Sequence, residues 1–292
     1  MAFGRTRDVI VGLRKLNWSQ LTKDPLLFFT AVAGVLMDSL GASFVKLAQV
    51  IAHSPMVAPA ALVSACKKSL VKCGAPIVPY EQVATLICAQ LEIERVEDVF
   101  ETFEQTPMAS ASIAQVHSAT LHGGRRVVVK VVRPGVLERL DFDLTLVWLL
   151  ARVADVLLAP LISEVLSSSA AAMVDELRLP ILAECDLSIE RANMYRYRTW
   201  LGTSSALKRA GASTAVWVPE PIESASTTQL LTMERVDGIV LADLVRGPKT
   251  DPARTSSPSF YWLPALESHF LVFALLPTYL SGFAGLCLRR RF

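Results

Sequence analysis

The chain has 292 residues, enough for one large domain or two small ones with a sizeable core. Its formal net charge of +2 is nearly balanced, which argues against a strongly electrostatic partner such as nucleic acid. Hydrophobic residues make up 52% of the chain and the mean hydropathy is +0.41, so we expect contact with a membrane surface or bilayer.

The cysteines and histidines do not form a metal-ligand pattern. The number of cysteines is odd and no CxxC pair occurs, which argues against a disulfide framework and against structural zinc. We therefore expect buried free thiols in a reducing compartment and no metal site.

The N-terminal segment from Met1 to Trp18 is basic, with four cations against one acid: Arg5, Arg7, Arg14 and Lys15 against Asp8. The pattern fits a weak organellar presequence as well as it fits a basic, solvated first helix. Both interpretations stay open.

Residues 25–52 form one apolar stretch with helical periodicity, interrupted by Asp38 and Lys46. Its longest uncharged run is too short to span a bilayer, so we predict a buried or membrane-lying helix. A further helical region is predicted over residues 58–91, with a break near residues 74–79.

Two short runs rich in β-branched residues predict strands over residues 112–121 and 126–132. The intervening Gly123-Gly124 is typical of a hairpin turn. A second hairpin is predicted from strands over residues 216–222 and 229–235.

Between the two hairpins, residues 137–200 have a helical pattern that predicts two long helices, with weak points at Pro160 and Pro180. The order of helices, hairpin, helices and hairpin predicts an α+β domain with one small antiparallel sheet.

The C-terminal part changes in character after Arg246. Residues 247–258 are rich in Pro, Ser and Thr and predict a linker. Residues 270–288 carry no charge and precede three arginines, so they predict a transmembrane helix with a positive-inside flank. An altered C-terminus, from splicing or a gene-model error, is the alternative.

Four consecutive small residues precede the first predicted strand: Ala109, Ser110, Ala111 and Ser112. Small side chains at a turn let the backbone approach a ligand, as glycines do in phosphate-binding loops. In the next strand, Lys130 alternates with valines. A buried ammonium needs an anionic partner, and phosphate oxygens with a helix carboxylate provide it in kinases.

Three acids in the following helical region are candidates for that carboxylate: Glu184, Asp186 and Glu190. Asp186 and Glu190 are four residues apart and share a helix face, whereas Glu184 and Glu190 are six apart and do not. Spacing does not decide which acid pairs with Lys130, and a solvated acidic helix face is the alternative.

The segment LLTMERVDG at residues 230–238 predicts a strand that ends before an Asp-Gly turn and looks like a kinase hinge. In such a hinge Met233 flanks the adenine pocket, and backbone groups of Glu234 and Val236 bond to the adenine edge. A buried strand that leaves a sheet is the alternative.

Taken in order, these segments resemble the UbiB atypical kinases, also called aarF-domain-containing kinases. Five family motifs have counterparts between residues 38 and 246: LGASFVKLAQ at 40–49 for the KxGQ signature LGPTFIKLGQ, ASASIAQVH at 109–117 for the alanine-rich loop AAASIAQVH, KVVRPG at 130–135 for KVQRPG, the segment at 184–193 for ExD followed by REAAN, and LLTMERVDG at 230–238 for VLTMEWIDG.

The resemblance implies a kinase-like fold that binds ATP or ADP with magnesium on a mitochondrial, plastid or bacterial membrane. It implies a link to the biosynthesis of ubiquinone and related prenyl lipids, with a prenyl-lipid precursor as a further partner. It also implies that Lys130 contacts the nucleotide phosphates, and that Lys46 and Gln49 gate the pocket.

The chain departs from the family pattern in several places. Ala48 replaces the glycine of KxGQ, and Ser110 replaces an alanine of the alanine-rich loop. The catalytic-loop motif HxDPHPGN and the metal-binding DFG do not occur. We therefore expect no catalytic aspartate, no full magnesium site and negligible turnover.

We predict three parts: a helical extension over residues 1–100, a kinase-like N-lobe over residues 101–246 without its C-lobe, and a divergent tail over residues 247–292. The leading hypothesis is a nucleotide-binding, UbiB-like protein that is catalytically incomplete in this chain. The alternatives are a membrane-associated adaptor or pseudokinase fragment, and an incomplete version of a full-length enzyme.

Overall fold

The computed structural model describes residues 2–17, 25–40, 42–53, 63, 66, 77–157, 169–203, 216–240, 260–263 and 286–289. The chain is α+β and divides into two compact units. Unit 1 comprises residues 1–77, 110–114 and 133–185, and unit 2 comprises residues 78–109, 115–132 and 186–292. The three-part division at residues 100 and 246 stays a prediction.

In chain order the described helices are α1 (Ala2–Arg14), α2 (Pro25–Leu40), α3 (Ala42–His53), α4 (Tyr80–Leu91), α5 (Val136–Leu157), α6 (Ala170–Ala183) and α7 (Leu187–Thr203). The strands are β1 (Phe100–Phe103), β2 (Ala109–Ser110), β3 (Ala114–Leu121), β4 (Arg126–Val132), β5 (Val216–Trp217), β6 (Leu230–Glu234), β7 (Gly238–Val240), β8 (Phe260–Leu263) and β9 (Leu286–Arg289). Single 3₁₀ turns lie at Val96–Asp98 and Glu223–Ala225.

Unit 1 contains α1, α2, α3, α5 and α6. The first helix packs closely in this unit, because Val9 is fully buried and a Cβ atom at Gly12 would lie only 2.6 Å from Cγ1 of Val35. Arg5 forms an ion pair with the buried Asp143 of α5. The expectation of a solvated first helix therefore holds only for the face of α1 that is exposed.

The helix boundaries differ from the predicted ones. The single stretch expected over residues 25–52 is two helices, α2 and α3, and the described part of residues 137–200 contains three helices where two were expected. Pro180, expected to weaken a helix, lies inside α6. The chain breaks instead at residues 184–186, whereas Pro160 lies outside the described residues.

The first sheet has the strand order β1-β3-β4-β6, with β2 paired to β3. The hairpin between β3 and β4 is confirmed, and its turn needs glycine because Gly123 and Gly124 have φ values of +96° and +80°. Strand β4 pairs antiparallel with β6, so that Lys130 lies opposite Leu231 and Val128 lies opposite Met233.

One face of this sheet forms the core of unit 2. Val127, Val129 and Val131 of β4 share a hydrophobic cluster with Val83 and Ile87 of α4. The alternate residues of β4, Val128 and Val132, are buried too. Burial on both faces explains why β4 is apolar throughout except at Lys130 and its first residue, Arg126.

The second sheet has the order β5-β9-β8-β7, with β7 and β8 parallel. The second predicted hairpin is confirmed only in part. Residues 220–222 pair antiparallel with residues 232–234: Pro221 and Met233 form a bridge, the Ile222 N–H donates to Thr232 O at 2.8 Å and the Glu234 N–H donates to Glu220 O at 2.9 Å. Strand β5 itself pairs with β9, and the other edge of β6 pairs with β4.

The predicted transmembrane helix over residues 270–288 is corrected where the structure describes it. Residues 286–288 belong to strand β9, because their backbone groups pair with β5 and β8. Residues 270–285 and the predicted linker at residues 247–258 lie outside the described residues. Among the helices that the structure describes, none has the length and apolarity needed to cross a membrane.

Candidate functional site

The ammonium of Lys130 lies on the β4 strand of unit 2 and is held by a carboxylate of α7. Its Nζ atom is 2.6 Å from Oε2 of Glu190, and the two side chains are only 22% and 11% exposed. The partner that spacing left undecided is therefore Glu190.

The other two acids have separate partners. Asp186 precedes α7 and caps it, since its Oδ1 accepts hydrogen bonds from the Ser188 N–H at 2.9 Å and from the Ser188 hydroxyl at 2.6 Å. Glu184 is the last-turn cap residue of α6 and pairs with Lys46 in unit 1. An aspartate directly before a helix is a capping signal, which sequence reasoning missed at this position.

Helix α7 is fixed over its length by hydrogen bonds to the backbone between β5 and β6. Four residues on one helix face donate to carbonyl oxygens: Leu187 N–H to Thr228 at 2.7 Å, Arg191 to Ser226 at 3.1 Å, Tyr195 to Pro221 at 3.3 Å and Arg198 to Val218 at 2.7 Å. Sequence reasoning missed this row, although the spacing of four, four and three residues is that of one helix face. The row sets the position of Glu190.

The second carboxylate oxygen of Glu190, Oε1, is buried and has no hydrogen-bond partner in the part of the chain that the structure describes. An unpaired buried acceptor costs about 1–3 kcal/mol. A bound group that donates a proton, or a cation, would recover that cost. The site therefore has a vacant acceptor directly beside the Lys130 ammonium.

The predicted hinge follows the same sheet. Because paired residues of antiparallel strands point to one face, Met233 and Lys130 share a face of the first sheet through their partners Val128 and Leu231. Met233 is buried. After β6 ends at Glu234, the chain is irregular until β7 begins.

The backbone of the hinge offers a hydrogen-bond donor. The Glu234 N–H donates to Glu220 O at 2.9 Å, on the side away from β4, and the Arg235 N–H donates to Arg126 O at 3.2 Å. No hydrogen bond among the described residues uses the Val236 N–H.

The small-residue loop, defined as residues 110–113, belongs to unit 1. Its Ala111 N–H donates to Ala114 O at 2.9 Å and closes a tight turn. Ser110 and Ala111 are exposed and Ser112 is half-buried. Ala109, which precedes the loop in β2, is exposed as well. The side chains of residues 109–112 are therefore too small to cover the backbone of this segment.

The residues predicted to gate the pocket lie on α3 in unit 1. Lys46 pairs with Glu184, and Gln49 follows one turn later on the same helix face. Ala48, which replaces the family glycine, is completely buried within this helix. Beside the pair, burial raises the pKa of the Cys185 thiol to about 11, with smaller contributions from Glu184 and Glu138.

Two buried polar residues of β3 were not singled out by sequence reasoning. His117 Nδ1 bonds to Glu104 O at 2.9 Å, and its ring stacks on Phe103. Burial lowers the pKa of His117 despite that bond. Gln115 bonds through its side-chain amide to the backbone of Val78. Both residues connect β3 to neighbouring segments of unit 2 and belong to the scaffold.

Across the described ranges, from residue 2 to residue 289 with their gaps, no group of three or more His, Cys, Asp or Glu side chains is arranged to hold a metal ion. The candidate site in unit 2 offers an ammonium, a carboxylate oxygen that can accept a hydrogen bond, and a backbone N–H that no described residue uses. This set fits the phosphates and the base of a nucleotide better than it fits a bare metal ion.

Comparison with known proteins identifies the family. The model of the ABC1 atypical kinase-like domain matches residues 70–255, which is more than half of the chain. An uncharacterized chloroplastic aarF domain-containing protein kinase of Arabidopsis thaliana is 35% identical over 211 residues, covering 72% of this chain and 36% of that protein. A probable protein kinase UbiB of Xylella fastidiosa is 34% identical over 210 residues, covering 71% and 35%.

A solved structure of Rv3197 with erythromycin, from Mycobacterium tuberculosis, is 26% identical and covers 59% of this chain and 39% of that one, with a TM-score of 0.46. The chain spans about a third of the length of the two curated relatives. The resemblance to UbiB and aarF-domain-containing kinases is confirmed, and the chain belongs to the family of ABC1 atypical kinase-like proteins.

Proposed function

We propose that this chain binds an adenine nucleotide, ATP or ADP, on unit 2. The observation that supports it most directly is the Lys130–Glu190 pair, in which Glu190 keeps a buried oxygen without a partner among the described residues. A lysine held by a helix carboxylate beside a hinge strand is the arrangement with which kinases bind nucleotide phosphates.

Each residue has a distinct proposed role. The Lys130 ammonium has three N–H groups. One donates a hydrogen bond to Glu190, so the other two are available to phosphate oxygens. Met233 contributes a buried apolar surface on the Lys130 face, where an adenine ring would be sheltered. The Val236 N–H and the Glu234 carbonyl would bond to the adenine edge. Ala109, the member of the small-residue segment that lies in unit 2, would contact phosphates.

Magnesium, when bound with the nucleotide, would neutralise charge on the phosphates. Within the proposed site, Glu190 has a carboxylate oxygen without a partner among the described residues, which could contact such an ion or its water. Because the motifs HxDPHPGN and DFG do not occur in the sequence, we propose binding with little or no turnover in this chain.

The wider role is proposed from the family. Relatives are named UbiB and one is described as chloroplastic, so we propose a link to ubiquinone or related prenyl-lipid biosynthesis at a mitochondrial or plastid membrane. An exposed apolar row on α5 supports membrane contact: Phe142, Leu149, Val153 and Val156 lie on one helix face.

Thermal unfolding of the 292-residue chain with and without ligand tests the proposal. At a concentration ten times the Kd, a nucleotide stabilises the folded state by about 1.4 kcal/mol, which raises the Tm measurably. MgADP and MgATP should both raise it, while magnesium phosphate should not. Arg125→Gln, which removes only a surface pair with Glu220, should keep the shift.

A wild-type Tm that does not change with millimolar MgADP or MgATP would overturn nucleotide binding. In that case the non-enzymatic, membrane-associated adaptor becomes the better hypothesis, because it needs only the apolar row on α5. Flotation of the same protein with liposomes then distinguishes the two remaining hypotheses: a membrane-associated adaptor floats with the liposomes, and a fragment that binds neither nucleotide nor membrane does not.

A further inference from the structure

We infer that Arg235 is a positioning residue that holds the hinge after β6 in one conformation, so that the site selects adenine over guanine nucleotides. The inference deepens the proposed nucleotide binding and rests on it. Its contacts all lie within unit 2, the unit that also contains Lys130 and Glu190. The ligand is indicated there by the buried Glu190 oxygen that has no partner among the described residues, and not by the hinge itself.

Arg235 connects the hinge to two strands of the first sheet. Its backbone N–H donates to Arg126 O of β4 at 3.2 Å. Its side chain reaches one strand further, because Nη1 donates to the Ser118 hydroxyl of β3 at 2.7 Å. Since β4 lies between β3 and β6 in the sheet, this one residue links the chain that follows β6 to both other strands.

Asp237 restrains the hinge on the other side of Val236. The Arg235 Nε donates to Oδ1 of Asp237 at 3.0 Å, and Oδ2 of Asp237 pairs with Nη2 of Arg126 at 2.9 Å. Both oxygens of this carboxylate are therefore used. The two neighbours of Val236 are both bonded to Arg126, one to its carbonyl oxygen and one to its guanidinium.

These bonds act on a segment that belongs to no strand. Residues 235–237 lie between the end of β6 and the start of β7. The side chain of Asp237 is 52% exposed, so each ion pair contributes little when taken alone. Several bonds that restrain the same three residues nevertheless narrow the conformations of the hinge before a ligand arrives, which favours binding through preorganisation.

Base selection depends on that restraint. The proposed adenine contacts are the Glu234 carbonyl oxygen, an acceptor, and the Val236 N–H, a donor. Adenine presents its N6 amino group beside the acceptor N1, which matches this pair. Guanine presents the acceptor O6 beside an N1–H donor, so a fixed hinge would set two acceptors and two donors against each other. A hinge that can rearrange discriminates less between the two bases.

The arginine is not implied by the family motif. The signature VLTMEWIDG has tryptophan at the position of Arg235, whereas Asp237 matches its aspartate. A tryptophan has a single ring N–H donor and no charge, so it cannot bond to Ser118 and Asp237 together. A planar guanidinium directs two N–H groups to two separate acceptors, as Arg235 does here.

The test compares Arg235→Gln with wild type in two measurements on the whole chain. Residue-resolved hydrogen exchange follows the amide of residue 235, whose acceptor is Arg126 O; we expect about fivefold faster exchange in the variant, because the restraint on this strand end is lost. Calorimetry then compares MgADP with MgGDP. Wild type should bind MgADP at least about tenfold more tightly. In the variant the Kd of MgADP should rise about fivefold and that of MgGDP should stay within about twofold.

The matched control is Arg125→Gln, which removes the same charge from the same hairpin but breaks only a surface pair with Glu220. Both measurements should stay at wild-type values. Asp237→Ala removes the carboxylate that both arginines share, so it should also weaken MgADP and spare MgGDP. Ser118→Ala removes one acceptor of Arg235 and should raise the Kd of MgADP by only about twofold.

The outcomes separate this inference from the proposed function. If Arg235→Gln exchanges like wild type, or weakens MgADP and MgGDP equally, the positioning role is wrong even though nucleotide binds. If wild type binds the two nucleotides equally well, nucleotide binding stands and base selection by the hinge is wrong. If wild type binds neither, the proposed function and this inference fail together.

Discussion

Two lysine–glutamate pairs lie in different units of the molecule and are built from acids only six residues apart. In unit 2, Lys130 pairs with Glu190, and the side chains are 22% and 11% exposed. In unit 1, Lys46 pairs with Glu184, and the side chains are 19% and 23% exposed. The two lysine side chains have similar exposed fractions, so the two pairs differ mainly in the exposure of their carboxylates.

The two carboxylates occupy opposite helix ends. Glu190 lies in the first turn of α7, where the helix dipole stabilises a negative charge. Glu184 caps the C-terminal end of α6, where the same dipole destabilises it. Glu184 therefore depends on its lysine for charge compensation, whereas Glu190 is stabilised by its helix and retains an oxygen for a ligand. The Lys46–Glu184 pair is therefore structural, whereas the Lys130–Glu190 pair has a carboxylate oxygen available to a ligand.

The largest effect is expected from Lys130→Met. Removing the ammonium leaves Glu190 buried without its cation, which we expect to lower the free energy of unfolding by about 2–3 kcal/mol. Urea denaturation followed by circular dichroism measures it. The double variant Lys130→Met/Glu190→Gln should recover most of that loss but not nucleotide binding. An unchanged stability in the single variant would contradict the burial argument.

A smaller effect is expected from Lys46→Met. Both partners are about a fifth exposed, so solvent screens the pair and we expect a loss of about 1 kcal/mol. The test of the comparison is Glu184→Gln added to Lys46→Met: the neutral amide removes the unfavourable charge at the C-terminal end of α6 and should restore stability. If Glu184→Gln lowers stability further, the dipole argument is wrong.

A further prediction concerns the pH dependence of the stability of unit 2. The pKa of His117 is lowered by burial, so below its ordinary value of about 6.5 the unfolded chain binds a proton that the folded chain does not. Stability must fall as pH drops below that value, by at most about 1.4 kcal/mol per pH unit. Urea denaturation of wild type and of His117→Asn at pH 7.5 and 5.5 measures how much of the pH-dependent loss of stability comes from His117. If both proteins lose the same free energy of unfolding between the two pH values, the prediction is wrong.

Much of the first sheet follows from local sequence. The β3–β4 hairpin is specified by β-branched runs and by two glycines that accept positive φ, and both signals are short-range. The pairing of β5 is not predictable in this way, because its partner β9 lies about 70 residues downstream in sequence. Pairing at that separation depends on tertiary packing, which no local pattern reports.

The contacts of the candidate site could be predicted only in part from local sequence. Lys130 is visible in the sequence, but spacing counted along one continuous helix did not decide among Glu184, Asp186 and Glu190. The chain breaks between α6 and α7, so the phase restarts at Leu187 and spacing across the break has no meaning. The bond from Arg235 to Ser118 spans 117 residues of the chain and was missed for that reason.

The ion pair between Arg5 and Asp143 has a consequence for the order in which the chain becomes stable. Asp143 is almost completely buried in the middle of α5; its Oδ2 atom pairs with Arg5, and its Oδ1 atom has no partner among the described residues. Its counter-charge comes from a helix 138 residues earlier in the chain. During synthesis the first helix must therefore wait for α5, and unit 1 acquires its full stability only when its earliest and its central residues are present together.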